Sequence, residues 1–287
     1  MKIDDKRVIL VTGASRGAGK GIAKALGIKN SIVYVTGRSH KKKHGHANGT
    51  IEETAEAIEN NGGCGIPVVC DHREDQQVKD LFARIEKEQG KLDILVNNAC
   101  SIPQGLTQPG PFWEKPLEFL DIMNVGMRSH YVASYYAAKI MAPKKSGLIV
   151  HTSSPGGRCY MHGPAYGAGK AAIDKFANDM AVDLKPYGIA CISIWMGILK
   201  TERLLAKASS DPDQFKSILL HAETPEFTGL IIDAIANDPE IMKKSGKILV
   251  GAEEASHYNI LDLDGRMPPS PVHRLGKPAQ ANPAIIH

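Results

Sequence analysis

Tyr166 and Lys170 stand one helical turn apart in PAYGAGKAAIDKF (164–176), with only Gly167, Ala168 and Gly169 between them. Residues i and i+4 of a helix stack on one face, so a phenol and an ammonium point the same way. A free phenol titrates near about 10, and a neighbouring cation stabilises the phenolate and draws that value toward working pH. Such a pair can deliver a proton to an oxygen held beside it. The small intervening residues are expected to keep the helix face open to ligands. Upstream, Ser153 and Ser154 end the apolar run GLIVHTS. A hydroxyl there could hydrogen-bond a substrate carbonyl and stabilise charge developing on it. Counting along the strand from Gly147 favours Ser154, and counting back from Tyr166 favours Ser153. The strand count is preferred, because a strand's register is harder to shift than the length of the loop after it.

These groups need a scaffold, and the hydropathy pattern describes one. VILVT (8–12), SIVYVT (31–36), GIPVVC (65–70), LDILVNNA (92–99), GLIVHTS (147–153), IACISIW (189–195) and KILV (247–250) read as strands. Helical stretches separate them, the longest near 120–142 and 164–185. Thr50 and Glu53 form a capping-box pair at one helix start. Strict alternation predicts an α/β fold: a single-domain, Rossmann-type, doubly wound parallel sheet of about seven strands with helices on both faces. Residues 1–265 form that dinucleotide-binding domain together with its substrate pocket. Residues 266–287 form a proline-rich tail (Pro268, Pro269, Pro271, Pro278, Pro283), expected to run extended over the surface or over a neighbouring subunit.

The first strand-to-helix turn, TGASRGAGKG, carries Gly13, Ser15, Arg16, Gly17, Ala18 and Gly19. Glycines let the chain turn tightly and let a pyrophosphate approach backbone N–H groups at a helix N-terminus. A glycine-rich turn alone is a weak signal; its place after the first strand makes it a cofactor cradle. The second strand ends in Thr36, Gly37 and Arg38 with no carboxylate. A ribose 2′-phosphate wants a forked cation, which Arg38 can supply with Arg16 opposite. The run Lys41–Lys43 reads as a solvated loop.

Composition narrows the classes. The chain has 287 residues and a net charge of +4, too mild for a nucleic-acid surface. No apolar run is long enough for a membrane span, and MKIDDKR lacks the apolar stretch of a secretory signal. The five cysteines form no CxxC pair and have no histidine at metal-ligand spacing, so free thiols, no metal and a cytoplasmic setting are expected.

The GxxxGxG spacing at Gly13, with YxxxK and NNAC, resembles the short-chain dehydrogenase/reductase family over residues 7 to about 250. That resemblance implies an NADPH-dependent oxidoreductase that reduces a small-molecule ketone or aldehyde to an alcohol, with Tyr166 as proton donor. It assigns Lys170 to the nicotinamide ribose as well, Ser154 to the substrate and Asn124, in DIMNVG, to a water linked to the lysine. It places Asp71 at the adenine amino group and Asn98 and Ala99 along the adenosine ribose; Asn97 is expected to tie strands together. In WMGILKTE it gives the Ile198 backbone and the Thr201 hydroxyl to the nicotinamide carboxamide. Met196 stands where the family usually has proline, and Cys100 where it has the glycine of NNAG. NADP(H) is the preferred cofactor and NAD(H) the alternative, as in an alcohol dehydrogenase of the same fold; a non-catalytic dinucleotide sensor is the remaining alternative. The substrate is expected to be mostly apolar, held by segments 100–116, 155–162 and 204–221 with Phe112, Trp113, Tyr160 and Met161. His151 and His162 are read as structural. A homodimer or homotetramer is implied, with Tyr131, Tyr135, Tyr136, Phe176 and Met180 as candidate contacts.

Overall fold

The computed structural model describes residues 6–40 and 49–286; the run Lys41–Lys43 lies outside them. Seven parallel strands form one sheet: β1 (Arg7–Val11), β2 (Ser31–Gly37), β3 (Cys64–Val69), β4 (Ile94–Asn97), β5 (Gly147–Ser153), β6 (Ile189–Trp195) and β7 (Ile248–Val250). Their order is β3-β2-β1-β4-β5-β6-β7. The chain winds outward from β1 to β3, then returns to build on the other side of β1. The switch between β1 and β4 opens a crevice at the strands' C-terminal ends, which is where such sheets bind ligands.

Both faces are buried. On one face Ile9, Val11, Val33 and Ile192 pack against α1 (Gly17–Leu26), α2 (Ile51–Asn60) and α9 (Phe227–Ala236). On the other, Val8, Leu10, Tyr34 and Ile149 pack against α3 (Asp75–Gln89), α5 (Ser129–Met141) and α6 (Pro164–Leu184). Burial on both sides explains the continuous β-branched runs in the sequence. The capping box at α2 is made: Thr50 Oγ1 accepts the Glu53 N–H at 3.2 Å, and the Glu53 carboxylate accepts the Thr50 N–H at 3.3 Å.

Two expected helices are broken. The stretch near 120–142 is a short helical turn, α4 (Asp121–Met123), then a widened turn over Asn124–Arg128, then α5. Val125 is extended and Gly126 has φ 133°, so the helix is interrupted there by conformation rather than by hydropathy. The stretch 204–221 is two helices, α7 (Glu202–Ser210) and α8 (Pro212–His221), divided where Asp211 caps the second by accepting the Gln214 N–H. After β7 come α10 (Gly251–Tyr258) and a four-residue turn of helix, α11 (Val272–Leu275).

Candidate active site

The glycine turn between β1 and α1 is built to exclude side chains. Gly13 has φ 65°, and a Cβ on it would fall 2.7 Å from the Ala99 Cα. A Cβ on Gly19 would fall 2.4 Å from the Gly13 carbonyl oxygen and 2.5 Å from Asn98 Nδ2. Thr12 Oγ1 accepts the Asn98 and Ala99 N–H groups at 2.9 and 3.0 Å, which ties the exits of β1 and β4 together. Asn98 Nδ2 donates to the carbonyls of Thr12 and Gly13 at 3.0 and 3.1 Å. Asn98 therefore shapes the cradle from beneath with its side chain. Asn97 points the other way, its Nδ2 donating to Ser134 Oγ on α5 at 2.9 Å. The same Nδ2 also lies 3.4 Å from His151 Nδ1 on β5, so the side chain ties β4 both to a helix and to its neighbouring strand.

A dinucleotide fits this turn. Gly13 and Gly19 keep side chains out of the turn where a pyrophosphate would approach, at the N-terminus of α1. The Gly17 N–H is held by the Glu202 carboxylate at 3.0 Å, an anion from the first residue of α7 seated on the α1 N-terminus. Ser15 is buried beneath the turn, and Ala18 packs against the core. At the end of β2, Arg38 is largely exposed and stands 3.9 Å from Asp71. Arg16 reaches over the same loop, donating to Ser39 Oγ at 2.5 Å and to the Gly49 carbonyl at 3.4 Å. Asp71 is shared: its Oδ1 accepts the Arg73 N–H at 3.1 Å, and Oδ2 lies 3.4 Å from the Arg73 guanidinium. Arg73 in turn pairs with Asp121 and holds that carboxyl below the usual carboxylate range. Sequence reading missed Arg73; the acidic and basic residues packed into DHRED were its only signal.

The second half of the site is set by α6. Pro164 starts that helix behind Gly163, and Asp174 fixes it to the sheet. The buried Asp174 carboxylate accepts the Ser193 hydroxyl at 2.6 Å and the Trp195 indole N–H at 3.0 Å, both from β6. Burial raises its pKa above the ordinary range. Tyr166 OH then lies 3.0 Å from Ser154 Oγ. Lys170 is buried, with Nζ 5.7 Å from the Tyr166 ring centre and donating to the Thr152 carbonyl at 3.1 Å. Ser153 is fully buried, its hydroxyl 3.5 Å from the Lys170 carbonyl oxygen. Of the two serines, Ser154 is the one beside the phenol.

The small residues of YGAGK act differently from expectation. Gly167 faces the carbonyl of Gly156, whose oxygen would lie 3.2 Å from a Cβ there. A Cβ on Gly156 would fall 2.7 Å from the Tyr166 ring, and one on Gly157 3.0 Å from the Ala171 nitrogen. Gly167 of the helix, with Gly156 and Gly157 of the turn 155–157, lets that turn close onto the helix and hold the Tyr166 ring. Ala168 does border open space. It lines, with Phe112, Leu117, Phe119, Ile122 and Met123, an apolar groove of about 290 Å³. His162 borders the same groove and meets the Tyr166 ring edge-on at 5.1 Å. Trp113 and Tyr160 are mostly exposed, and residues 204–221 do not line this groove.

Asn124 sits at the start of the widened turn, exposed, with α6 packed against that turn. Cys100 packs on Gly126 within it: a Cβ on that glycine would fall 3.0 Å from the Cys100 sulfur. Burial raises the Cys100 thiol, and the charge of Lys170 acts against that rise. Thr201 caps α7, its hydroxyl accepting the Leu204 N–H at 3.3 Å. Ile198 accepts the Glu223 N–H at 2.8 Å, while its own N–H has no partner among the described residues. His151 is fully buried, stacked on His130 at 5.6 Å, as a structural residue would be. Among the described residues no group of His, Cys, Asp or Glu could hold a metal.

A profile of the short chain dehydrogenase family matches residues 7–212. The chain belongs to the short-chain dehydrogenase/reductase family. As a member it is an NAD(P)-dependent oxidoreductase. This short-chain dehydrogenase is 44% identical over 271 residues to human dehydrogenase/reductase SDR family member 1, covering 91% of the chain and 84% of that protein. The mouse counterpart is 42% identical over the same shares. Among solved structures, an actinorhodin polyketide ketoreductase with NADPH is similar at a TM-score of 0.75, with 23% identity, 87% of this chain and 97% of that one. A short-chain type dehydrogenase/reductase from Mycobacterium marinum follows at 0.70, with 25% identity and coverages of 86% and 95%. None of the described helices is long and apolar enough to cross a membrane.

Proposed function

We propose that this oxidoreductase uses NADPH to reduce an apolar ketone or aldehyde to an alcohol, with Tyr166 as proton donor. The observation that carries the reading is the 3.0 Å contact between Ser154 Oγ and Tyr166 OH, with the buried Lys170 ammonium beside the same ring. A nicotinamide dinucleotide bound in the glycine cradle supplies the hydride. The chain's own groups do the rest. Ser154 donates a hydrogen bond to the carbonyl oxygen and fixes its place. Tyr166 passes its proton to that oxygen as negative charge develops there. Lys170 stabilises the phenolate left behind. Asn124 holds the water through which the proton is replaced from solvent.

NADPH is preferred over NADH because Arg38 and Arg16 gather at the end of β2, whose own last residues carry no carboxylate; Asp71, which follows β3, pairs with Arg38 at 3.9 Å. The groove beside Tyr166, lined almost wholly by apolar side chains and leading from Ala168 to Phe112, favours a substrate without charge. Its single cation, Lys115, has its ammonium on the Gln108 carbonyl. The five cysteines are free, which supports a reducing, cytoplasmic setting. A homodimer or homotetramer is part of the proposal: Tyr131 and Tyr135 stand half-exposed on α5, whereas Tyr136 and Met180 pack on the core. A sedimentation measurement giving a monomer would remove that part.

The test is a panel of uncharged ketones and aldehydes followed by NADPH absorbance, run beside NADH. Turnover with NADPH is expected. Arg38→Asp should move the kcat/KM ratio toward NADH by about tenfold or more, since a lost charged hydrogen bond and a new repulsion each count. An unchanged ratio would remove the 2′-phosphate role.

A further inference from the structure

The segment that leaves β6, Met196 to Thr201, is held from outside. The Met196 N–H donates to the Ser153 carbonyl at 3.2 Å. Between Gly197 and Lys200 the backbone bonds to other elements converge on one residue. Glu223 Oε1 accepts the Gly197 N–H at 3.1 Å, the Glu223 N–H donates to the Ile198 carbonyl at 2.8 Å, and the Glu223 carbonyl accepts the Lys200 N–H at 2.8 Å. The contact is close: a Cβ on Gly197 would fall 2.5 Å from Glu223 Oε2. Glu223 itself is buried, only 3% exposed. A buried carboxyl costs free energy unless it is well bonded, so its presence needs a reason.

Glu223 is in turn fastened by the stretch after α10. Asp262 accepts the Thr224 N–H at 2.8 Å, and Arg266 donates to the carbonyls of Leu220 and Ala222 at 2.6 and 3.2 Å. Lys200 pairs with Asp264 at 2.8 Å. The stretch 261–266 thus grips both sides of the joint. Met196 is free in φ and has an N–H, so the chain there lacks the rigidity a proline would impose.

We propose that Glu223 is a positioning residue that clamps Gly197, Ile198 and Lys200, so that the Ile198 backbone is held against the nicotinamide end of the cofactor. The inference rests on the reading that a nicotinamide dinucleotide lies along this segment. Glu223 touches neither cofactor nor substrate; it acts through the backbone it holds.

The test compares two ligands by equilibrium binding: NADPH, and 2′-phospho-ADP-ribose, which is the same molecule without nicotinamide. Glu223→Ala should weaken NADPH about tenfold, because the Gly197 N–H loses its acceptor, as does the Thr228 side chain, and the segment relaxes. It should leave the fragment unchanged. Glu223→Gln keeps an oxygen for Gly197 and should restore NADPH affinity. Thermal melting of both variants controls for folding. The proposal is overturned if the alanine variant binds NADPH as wild type does, or if it loses NADPH and fragment in parallel. A glutamine variant as weak as the alanine one also overturns it. No turnover enters these comparisons, so a protein that shows them yet reduces no carbonyl would sink only the proposed reaction. A wild type that binds no nicotinamide dinucleotide would sink both.

Discussion

A hydroxyl serves a reaction only where its hydrogen can reach the reacting oxygen, and Ser153 and Ser154 differ in that respect by one step of the strand. Ser154 meets the Tyr166 phenol, whereas Ser153 is sealed behind it against the Lys170 carbonyl. Removing a donor to a developing oxyanion costs about 10²–10³ in kcat, so Ser154→Ala should lose about that much. Ser153→Ala should keep kcat within about threefold, because its buried hydroxyl bonds the Lys170 carbonyl and the Asp174 carboxyl and does not reach the phenol. Steady-state rates of the two variants decide, and equal losses would return the choice to the count from Tyr166. The sequence could rank the serines because a strand's register is fixed by its buried face. It could not show Glu223, which is far from its partner Gly197 in the chain and announces itself by no spacing.

The strands and the glycine turn were legible, because fully buried β-branched runs have few other uses and a cradle needs glycine at set places. Gly19 shows how tight that requirement is. A methyl group there would meet the Gly13 backbone carbonyl and the Asn98 side-chain amide, which its hydrogen bonds to the Thr12 and Gly13 carbonyls hold in place. Gly19→Ala is expected to weaken NADPH binding by at least about tenfold, with a lower melting temperature, through overpacking of about 1–3 kcal/mol. Fluorescence titration reads the first and calorimetry the second; full affinity in the variant would mean that the turn is not the cofactor's seat. The break in the stretch 120–142 was not legible. Helical apolar spacing runs through it, and the departure is made by the backbone of Val125 and by Gly126 at positive φ. What carries Asn124 into place is therefore local conformation, held by Cys100 packing and by the Ser101 N–H donating to the Val125 carbonyl at 2.7 Å.

At the scale of the whole molecule, the fold buries ionisable groups that oppose one another. Burial holds His72 at about 4 and His151 at about 3, and keeps His130 well below its ordinary 6.5. The unfolded chain protonates these rings below 6.5, so the stability they carry is present above that pH and lost as pH falls toward 4. Glu223 runs the other way: burial, with Asp262 nearby, pushes it from 4.5 up to about 8. Its contribution is present below 4.5 and is lost as pH rises toward 8. Three histidines outweigh one carboxyl on the acid side and fall silent above 6.5, so the melting temperature should peak near there. The melting difference of Glu223→Gln over wild type should grow from about pH 5 to about pH 8, because glutamine never ionises. A difference independent of pH would show that Glu223 is ionised throughout. The same burial is what brings β1, β4, β5 and α6 to one crevice, and the central claim is that this crevice does proton transfer through one phenol. Tyr166→Phe removes that hydroxyl and nothing else. Measured with the best ketone of the panel, the variant should lose about 10³ or more in kcat, as expected for a missing general acid, with NADPH affinity unchanged. A variant that still reduces the ketone at the wild-type rate would contradict the account.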